Sequence, residues 1–226
     1  MISMRSILMS NWAVLFDWDG VVIDSSLLLE KSWEIVAEEY SFPLPEGHFK
    51  AGFGKRNETI IPQILKWSKE PDEINEIAFA KESAYRHLIK EQGIEALPGV
   101  RDFLNWLNSE SVPCVIASST PKDNLLAALP VLGLEGFFIG MISGDDVING
   151  KPDPEPFLKA ADIVKTSPEN CLVLEDSHSG VAAGLAAGCK VVAVGTTHPL
   201  DSFDGVHAKV PNLKSLDYDH IKSWFE

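Results

Sequence analysis

Short apolar runs alternate with stretches of helical spacing along most of the chain. Each run is apolar at both odd and even positions, which is typical of strands buried on both faces of a sheet. The alternation of such strands with helices predicts an α/β fold, in which a parallel sheet carries helices on both faces. The predicted strands are Trp12–Phe16, Val112–Ala117, Phe137–Ile142, Cys171–Leu174 and Lys190–Val194.

The region between residues 26 and 95 breaks this rhythm, because it contains no strand-like run. Pro and Gly residues divide it into segments of helical spacing. A helical block inserted after the first strand predicts a small second domain at 26–95, while 1–25 and 96–226 form the sheet domain. The helical patterns lie at Leu27–Tyr40, Glu58–Trp67 and Asp72–Lys90.

Two carboxylates follow the first predicted strand directly. Asp17 and Asp19 stand two positions apart, and Gly20 comes next. Ligands of open α/β sheets bind beyond the carboxyl ends of the strands. A pair of acids at that edge can divide the work of catalysis, since one attacks while the other donates and accepts a proton. Gly20 would let the backbone approach closely in the turn. The alternative is a solvated turn that ends a strand.

Hydroxyl groups and a lysine stand at two further loops. Ser118, Ser119 and Thr120 follow the second strand and precede a predicted helix, where backbone N–H groups favour a phosphate. Ser and Thr also cap helices for structural reasons alone, so this motif by itself does not decide. Lys151 lies in a turn stiffened by prolines, where it is either an exposed loop lysine or a cation for the site.

Adjacent acids end a third strand. Glu175 and Asp176 follow Cys171–Leu174, and burying them even partly is costly without a cation. Mg²⁺ is such a cation, because it takes hard oxygen ligands. Taken together, these strand ends supply a nucleophile, an acid, hydroxyls, a cation and metal carboxylates at one edge. That set indicates phosphoryl transfer, in which catalysis is mostly positioning and neutralisation of charge.

The overall charge narrows the classes of partner. The chain has 226 residues, with 19 Lys+Arg, 33 Asp+Glu and a net charge of −14. Nucleic acid and anionic lipid repel so acidic a protein, and we therefore expect neither as a partner. A phosphorylated ligand is also repelled at long range, so a phosphate site must provide its own positive charge.

The apolar segments and cysteines suggest a cellular setting. No apolar run approaches the ~18 residues that span a bilayer. The amino end lacks the small-residue cleavage site of a signal peptide, so we expect a cytoplasmic protein, with Met4 and Met9 as alternative starts. Cys114, Cys171 and Cys189 form no CxxC pair and lie in or beside apolar runs. We expect them to be buried free thiols.

The quoted motifs resemble those of the haloacid dehalogenase superfamily. The resemblance rests on Asp17-x-Asp19-Gly20, Ser118, Lys151 in GKPDPEPF, and Glu175-Asp176 before a Gly/Ala-rich helix. It covers nearly the whole chain and is strongest to the branch that holds β-phosphoglucomutase and phosphoglycolate phosphatase. It implies a Rossmann-like parallel sheet core with an inserted all-helical cap domain. It also implies a Mg²⁺-dependent phosphatase that hydrolyses a small phosphate monoester, such as a sugar phosphate, through a phosphoaspartate.

The resemblance assigns roles around the phosphoryl group. Asp17 would form the phosphoaspartate, and Asp19 would protonate the leaving oxygen and then activate water. Ser118 and the backbone N–H of Ser119 would hold phosphate oxygens. Lys151 would offset the charge between Asp17 and the phosphoryl group.

The resemblance also assigns the metal ligands and the cap contacts. Mg²⁺ would bind the carboxylates of Asp17 and Asp176 and the carbonyl of Asp19. Glu175 would orient Lys151 or sit in the outer shell of the metal. In the cap loop Gly52–Thr59, Arg56 or, in another register, Lys55 would contact the substrate. Lys81 matches a cap lysine of relatives that act on sugar phosphates.

Two rival functions remain. One is a hexose-phosphate mutase on the same scaffold; against it, Leu29 stands where the mutase has a histidine that assists sugar-dependent acid–base chemistry. The other is a catalytically idle relative that binds a ligand, which is disfavoured because every catalytic position is filled. The expected partner is a small phosphorylated metabolite, and the expected assembly is a monomer or weak dimer.

Overall fold

The computed structural model describes residues 10–52 and 55–226. They divide into two compact units. The sheet unit comprises the described residues up to Ile23 together with Ala96–Thr120 and Leu134–Glu226; the helical unit comprises Asp24–Glu95 and Pro121–Gly133. The sequence pattern predicts the limits of the inserted block at residues 26 and 95. The helical unit also includes the segment 121–133, whose helix packs with the long inserted helix Pro71–Gln92.

The sheet unit is built on parallel strands, which confirms the α/β prediction. The order is β3-β2-β1-β4-β5-β6, so the direction of winding reverses beside β1 and β4. Ligands of such sheets bind at the point of reversal. The strands are β1 (Ala13–Phe16), β2 (Cys114–Ala117), β3 (Phe138–Ile142), β4 (Cys171–Glu175), β5 (Lys190–Val194) and β6 (Ala208–Val210).

The register aligns the strands that carry the acids. Phe16 pairs with Ile116 of β2 on one side and with Leu174 of β4 on the other. The residues that follow these three strands therefore emerge together at one edge. Strand β6 was not predicted, because three residues are too few to show a period.

Helices flank the strands and make up most of the helical unit. Leu15, Val173 and Phe157 are buried in one core of the sheet unit, and Phe16 packs against Phe103 with ring centroids 6.0 Å apart. The helices are α1 (Ser26–Tyr40), α2 (His48–Gly52), α3 (Asn57–Thr59), α4 (Pro71–Gln92), α5 (Val100–Ser109), α6 (Lys122–Leu132), α7 (Glu155–Val164), α8 (His178–Ala186) and α9 (Tyr218–Lys222), with a π-helical turn at Ile60–Leu65.

The helical unit has its own apolar core. Trp33 of α1 is 4% exposed and packs with Ile61 and Ile77. The Trp33 and Trp67 rings meet edge to face at 5.7 Å, and Trp67 donates a hydrogen bond to the Pro43 carbonyl at 2.8 Å. Both tryptophans thus stabilise this unit.

Two further observations concern the cysteines and the helices of the described residues. The cysteines are free and buried. Within 10–52 and 55–226, no helix combines the length and apolarity needed to cross a bilayer.

Candidate active site

The turn after β1 carries Asp17, Asp19 and Gly20 and packs against Asp176. The Asp17 N–H donates to the carbonyl of Leu174 at 3.0 Å, which extends the pairing with β4 beyond the strand. The Gly20 N–H donates to the Ile23 carbonyl at 2.7 Å, and Gly20 has φ of 85°. A Cβ at Gly20 would overlap the carboxylate of Asp176. Glycine is therefore required here for both its backbone conformation and its lack of a side chain.

Lys151 joins two of the predicted site acids. Its Nζ donates to Asp17 Oδ1 at 2.5 Å and to Glu175 Oε1 at 2.7 Å, and its side chain is 4% exposed. The other oxygen of Glu175 accepts from the backbone and hydroxyl of Ser177 at 2.8 and 2.9 Å. A Cβ at Gly180 would overlap the Glu175 carboxylate, so a glycine in the first turn of α8 makes room for it. Glu175 is thereby held in position to orient Lys151.

The segment 118–120, which follows β2, contacts the turn after β1 through a hydroxyl group. Thr120 Oγ1 donates to Oδ2 of Asp19, and the Thr120 N–H donates to Ser118 Oγ at 3.1 Å. Ser118 is buried, and its N–H donates to the carbonyl of Ile142 at 2.9 Å. Ser119 is exposed. Asp17, Asp19, Ser118 and Lys151 thus come together at the carboxyl edge of the sheet.

Two threonines that the sequence analysis missed complete this edge. Thr197 Oγ1 donates to Oδ2 of Asp176, and Thr196 Oγ1 donates to the carbonyl of Gly20. They follow β5 directly after Gly195. The signal that found the other site residues, polar side chains after a buried strand, applies equally to these two.

A glutamate in the Lys151 motif was also missed. Glu155 accepts hydrogen bonds from the backbone N–H groups of Ile148 and Asn149 at 3.0 and 2.9 Å. A salt bridge from Lys159 at 2.8 Å and these backbone bonds lower the pKa of Glu155 to about 2. Glu155 therefore fastens the loop that leads into Lys151.

The acids fit a hard divalent cation. Asp17, Glu175 and Asp176 are all buried and can each offer an oxygen within 4.8 Å of the others. Only one ammonium, that of Lys151, bonds to members of this group among the described contacts. Buried carboxylates in excess of their cationic partners are costly, and a metal ion with oxygen ligands would relieve that cost.

The pKa values show the same imbalance. Burial, reinforced by Glu175 and Asp176, holds the pKa of Asp17 well above its ordinary value despite the opposing effect of Lys151. Burial and then Glu175 raise the pKa of Asp176 to about 7. Burial alone would lower the pKa of Lys151, but Asp17 and Glu175 outweigh it and raise this pKa above its usual range. Lys151 is therefore a cation throughout the neutral pH range. Its single positive charge does not balance the three buried carboxyl groups of Asp17, Glu175 and Asp176.

The predicted cap residues lie in the helical unit. Arg56 and Lys55 are exposed just ahead of α3. Phe53 and Gly54 of the predicted cap loop lie outside the described residues. Lys81 is 4% exposed, and its Nζ lies 5.4 Å from the centre of the Trp33 ring.

Lys81 belongs to a buried polar network in this unit. Glu82 Oε1 accepts from Lys81 Nζ at 2.9 Å and from Asn57 Nδ2 at 2.8 Å. Glu82 Oε2 accepts from Asn124 Nδ2 at 2.5 Å, and Asn124 accepts from Arg86 at 3.1 Å. Burial would raise the pKa of Glu82, but Lys81 and the two amides lower it on balance.

Comparison with known proteins decides the family. Residues 14–194 match the model of the haloacid dehalogenase-like hydrolases. The chain belongs to this hydrolase family. The family resemblance expected from the four motifs is thus confirmed, and so is its characteristic α/β fold. A haloacid dehalogenase-like hydrolase, family IA, variant 3, from Entamoeba histolytica superposes with a TM-score of 0.85 at 25% identity, over 95% of this chain and 99% of that one.

Relatives of this hydrolase carry phosphatase and mutase names. A phosphorylated carbohydrates phosphatase of Thermotoga maritima is 34% identical over 84% of this chain and 87% of its own length. The β-phosphoglucomutase of Bacillus subtilis is 30% identical over 89% of this chain and 91% of its own. The chloroplastic 5-amino-6-(5-phospho-D-ribitylamino)uracil phosphatase of Arabidopsis thaliana is 31% identical over 92% of this chain. The chain spans only 56% of that plant protein.

Proposed function

We propose that this hydrolase is a Mg²⁺-dependent phosphatase that cleaves a small phosphate monoester through a phosphoaspartate on Asp17. The observation that carries the proposal is the contact of Lys151 with both Asp17 and Glu175 at the point where the sheet reverses its winding. Asp19 lies two residues after Asp17 in the same turn, and its carboxylate accepts a hydrogen bond from the Thr120 hydroxyl. These contacts support Asp17 as the nucleophile, Asp19 as the proton donor and Lys151 as a fixed cation beside them.

The chemistry then follows in two displacements. Asp17 attacks phosphorus, and the bond from phosphorus to the ester oxygen breaks while Asp19 gives that oxygen a proton. Asp19 next takes a proton from water, which attacks the same phosphorus and releases phosphate from Asp17. Ser118 and the backbone N–H of Ser119 hold phosphoryl oxygens in both steps. Lys151 neutralises part of their charge.

The carboxylates of Asp17 and Asp176 and the carbonyl of Asp19 would hold Mg²⁺. When bound, this cation neutralises charge on the acids and on the phosphoryl group. Support comes from the crowding of Asp17, Glu175 and Asp176 within 4.8 Å around a single ammonium. Glu175 is already engaged by Lys151 and Ser177, which favours an orienting role over direct ligation.

For the substrate, we propose a phosphorylated sugar or polyol. The names of the Thermotoga and Arabidopsis relatives share a phosphate on a carbohydrate or ribityl chain. Arg56 is exposed and offers a cation for a second group of such a substrate. Lys81 was the other cap contact expected from the sequence. Its burial and its pairing with Glu82 favour a role in holding Asn57 and α4 together over direct contact.

An Asp-to-Asn pair of variants tests the proposed function. Asp17→Asn should lower phosphate release from p-nitrophenyl phosphate and from a panel of sugar and polyol phosphates by roughly 10⁴–10⁶-fold, as loss of a nucleophile does elsewhere. Asp162→Asn, on an exposed position of α7, is the matched control and should keep full activity. Removal of Mg²⁺ with EDTA should abolish release by the wild type. Wild-type turnover by Asp17→Asn would exclude the mechanism, and no turnover by the wild type on any ester would favour an idle relative.

The β-phosphoglucomutase relative makes a mutase the second candidate. Leu29 lies in the first helical turns of α1 and has no group that donates a proton or a hydrogen bond. We therefore expect free phosphate and no appreciable conversion of β-glucose 1-phosphate to glucose 6-phosphate. A coupled assay with glucose 6-phosphate dehydrogenase and a bisphosphate primer, run beside a phosphate assay, distinguishes the two. Glucose 6-phosphate formed faster than phosphate would establish the mutase.

A further inference from the structure

The turn that follows β5 is fixed in place by its own packing. The Gly195 N–H donates to the carbonyl of Val210 at 2.8 Å, so the turn is anchored to the end of β6. A Cβ at Gly195 would lie 2.7 Å from Leu200 Cδ2, which is too close for any other residue without a shift. From this anchored turn, the Thr197 hydroxyl reaches Asp176 and the Thr196 hydroxyl reaches the carbonyl of Gly20.

Thr197 encloses one oxygen of Asp176. Its hydroxyl donates to Asp176 Oδ2. The same oxygen lies against the backbone of Gly20, and Thr197 Oγ1 is 3.0 Å from the point where a Gly20 Cβ would sit. Asp176 is 3% exposed. Oδ2 is therefore held between a hydroxyl and a glycine, and the carboxylate cannot rotate without breaking this contact.

Fixing one oxygen of a carboxylate matters for the choice of metal. Mg²⁺ requires near-octahedral ligands at short distances, whereas Ca²⁺ accepts higher coordination numbers and often binds both oxygens of a carboxylate. Residues that hydrogen-bond a ligand orient it and tune the metal site, even though they do not touch the ion. A hydroxyl that bonds Oδ2, together with the close approach of Gly20 to the same oxygen, favours binding of the cation through the other oxygen of Asp176.

We propose that Thr197 is a positioning residue, which holds Oδ2 of Asp176 so that this carboxylate binds the divalent cation through one oxygen and discriminates Mg²⁺ from Ca²⁺. The identity of the ligand set rests on the proposed function; the hydrogen bond itself does not. A merely structural threonine would satisfy a buried acid and add stability. Its loss would not change the ratio of the affinities for the two ions.

The test is calorimetric titration of the full-length protein with Mg²⁺ and, separately, with Ca²⁺. Thr197→Val keeps the shape of the side chain and removes the hydroxyl. We expect its affinity for Mg²⁺ to fall by about 10–100-fold, the usual cost of losing such a partner, with a much smaller change for Ca²⁺. Thr197→Ser keeps the hydroxyl and should bind both ions nearly as the wild type does. Thr166→Val removes a hydroxyl that bonds only the Val164 carbonyl among the described contacts, at 3.3 Å, and should change neither affinity.

An unchanged ratio of Mg²⁺ to Ca²⁺ affinity in Thr197→Val would overturn the proposal. If that variant does not fold, as judged by circular dichroism, Thr197→Ala gives the same comparison without the hydroxyl. A wild type that binds Mg²⁺ but hydrolyses no phosphate ester would refute the proposed function and leave the Thr197 comparison valid. A wild type that binds no Mg²⁺ would refute both.

Discussion

Each unit of the protein buries a lysine against a glutamate, and the two pairs behave in opposite ways. In the helical unit, Lys81 lies 2.9 Å from Glu82, whose carboxylate also accepts from the amides of Asn57 and Asn124. One ammonium bonds to one carboxylate, and two neutral amides donate further hydrogen bonds to the same carboxylate. The pKa of Glu82 is accordingly lowered, even though its burial acts in the other direction.

In the sheet unit, several buried acids share a single lysine. Lys151 lies 2.5 Å from Asp17 and 2.7 Å from Glu175, and Asp176 is part of the same group of acids. Burial and mutual repulsion raise the pKa values of Asp17 and Asp176. Burial of a lysine is common to both regions, so burial alone does not mark a functional site. The excess of acid over base is what distinguishes the sheet unit, because a divalent cation would offset that excess.

The largest difference should appear when each lysine is replaced by methionine. Lys151→Met removes the ammonium beside Asp17, the proposed nucleophile, and should lower kcat by about 10²–10³-fold, as loss of one electrostatic stabiliser does in other enzymes. Lys81→Met should change kcat little and lower the melting temperature instead. Steady-state kinetics and thermal melts of both variants check this. Equal losses of kcat would break the comparison.

Replacing each glutamate with glutamine should lower the free energy of unfolding by different amounts in the two regions. Glu82→Gln leaves Lys81 buried without its counter-charge, and the free energy of unfolding should fall by about 1–3 kcal/mol. Glu175→Gln removes one of the surplus acids, so in EDTA it should cost less than Glu82→Gln. Urea unfolding of both variants, monitored in EDTA, measures the difference. A greater loss in Glu175→Gln would show that the acids are already balanced.

The pH dependence of stability should also differ in sign. Asp17 and Asp176 have raised pKa values, so the folded metal-free protein binds more protons than the unfolded chain. Its stability should therefore rise as pH falls from 8 to about 6. Glu82 acts oppositely, because its lowered pKa gives stability above its ordinary value that is lost on acidification below it.

Melting temperatures in EDTA should thus rise as the pH falls from 8 to about 5, a range in which Glu82 still keeps its stabilising contribution. Mg²⁺ should reduce this slope, since it competes with protons for the same acids. A melting temperature that falls steadily from pH 8 to 6 in EDTA would contradict the excess of acid.

The smallest effect is expected at the three buried cysteine thiols, which stay neutral. Burial raises the pKa values of Cys114, Cys171 and Cys189 to about 12. The reactive thiolate is therefore scarce at pH 8, and native protein should not react with Ellman's reagent within the time that the urea-unfolded chain reacts fully. A rapidly reacting thiol in the native protein would show that the core around β2, β4 or β5 opens.

Much of this could be predicted from the sequence, for a physical reason. Strands buried on both faces leave apolar runs. The polar residues after Phe16 and Ala117 mark where two of these strands end, and Glu175 is the last residue of the third. The sheet, the site acids and Ser118 follow from that pattern. Strand β6 does not, because it is only three residues long.

The partners of these residues depend on tertiary structure. Nothing local links Thr197 to Asp176, or Asn124 to Glu82, since these pairs are 21 and 42 residues apart. The same holds for α6, which follows a strand of the sheet unit but packs with the inserted helices. A local sequence pattern predicts a helix or strand and its exposed face. Tertiary packing decides which other element it contacts.

The central claim is that Asp17 becomes phosphorylated, and chemical trapping tests it most directly. Asp19→Asn should slow hydrolysis of the intermediate, because general acid–base help is worth ~10²–10⁴-fold. This variant is mixed with Mg²⁺ and a phosphate ester, quenched in acid and reduced with borohydride, which converts an acyl phosphate to an alcohol. Mass spectrometry of the digested protein should then find homoserine at position 17. No reduced residue at position 17 in a variant that still releases phosphate, or reduction at another acid, would contradict the account.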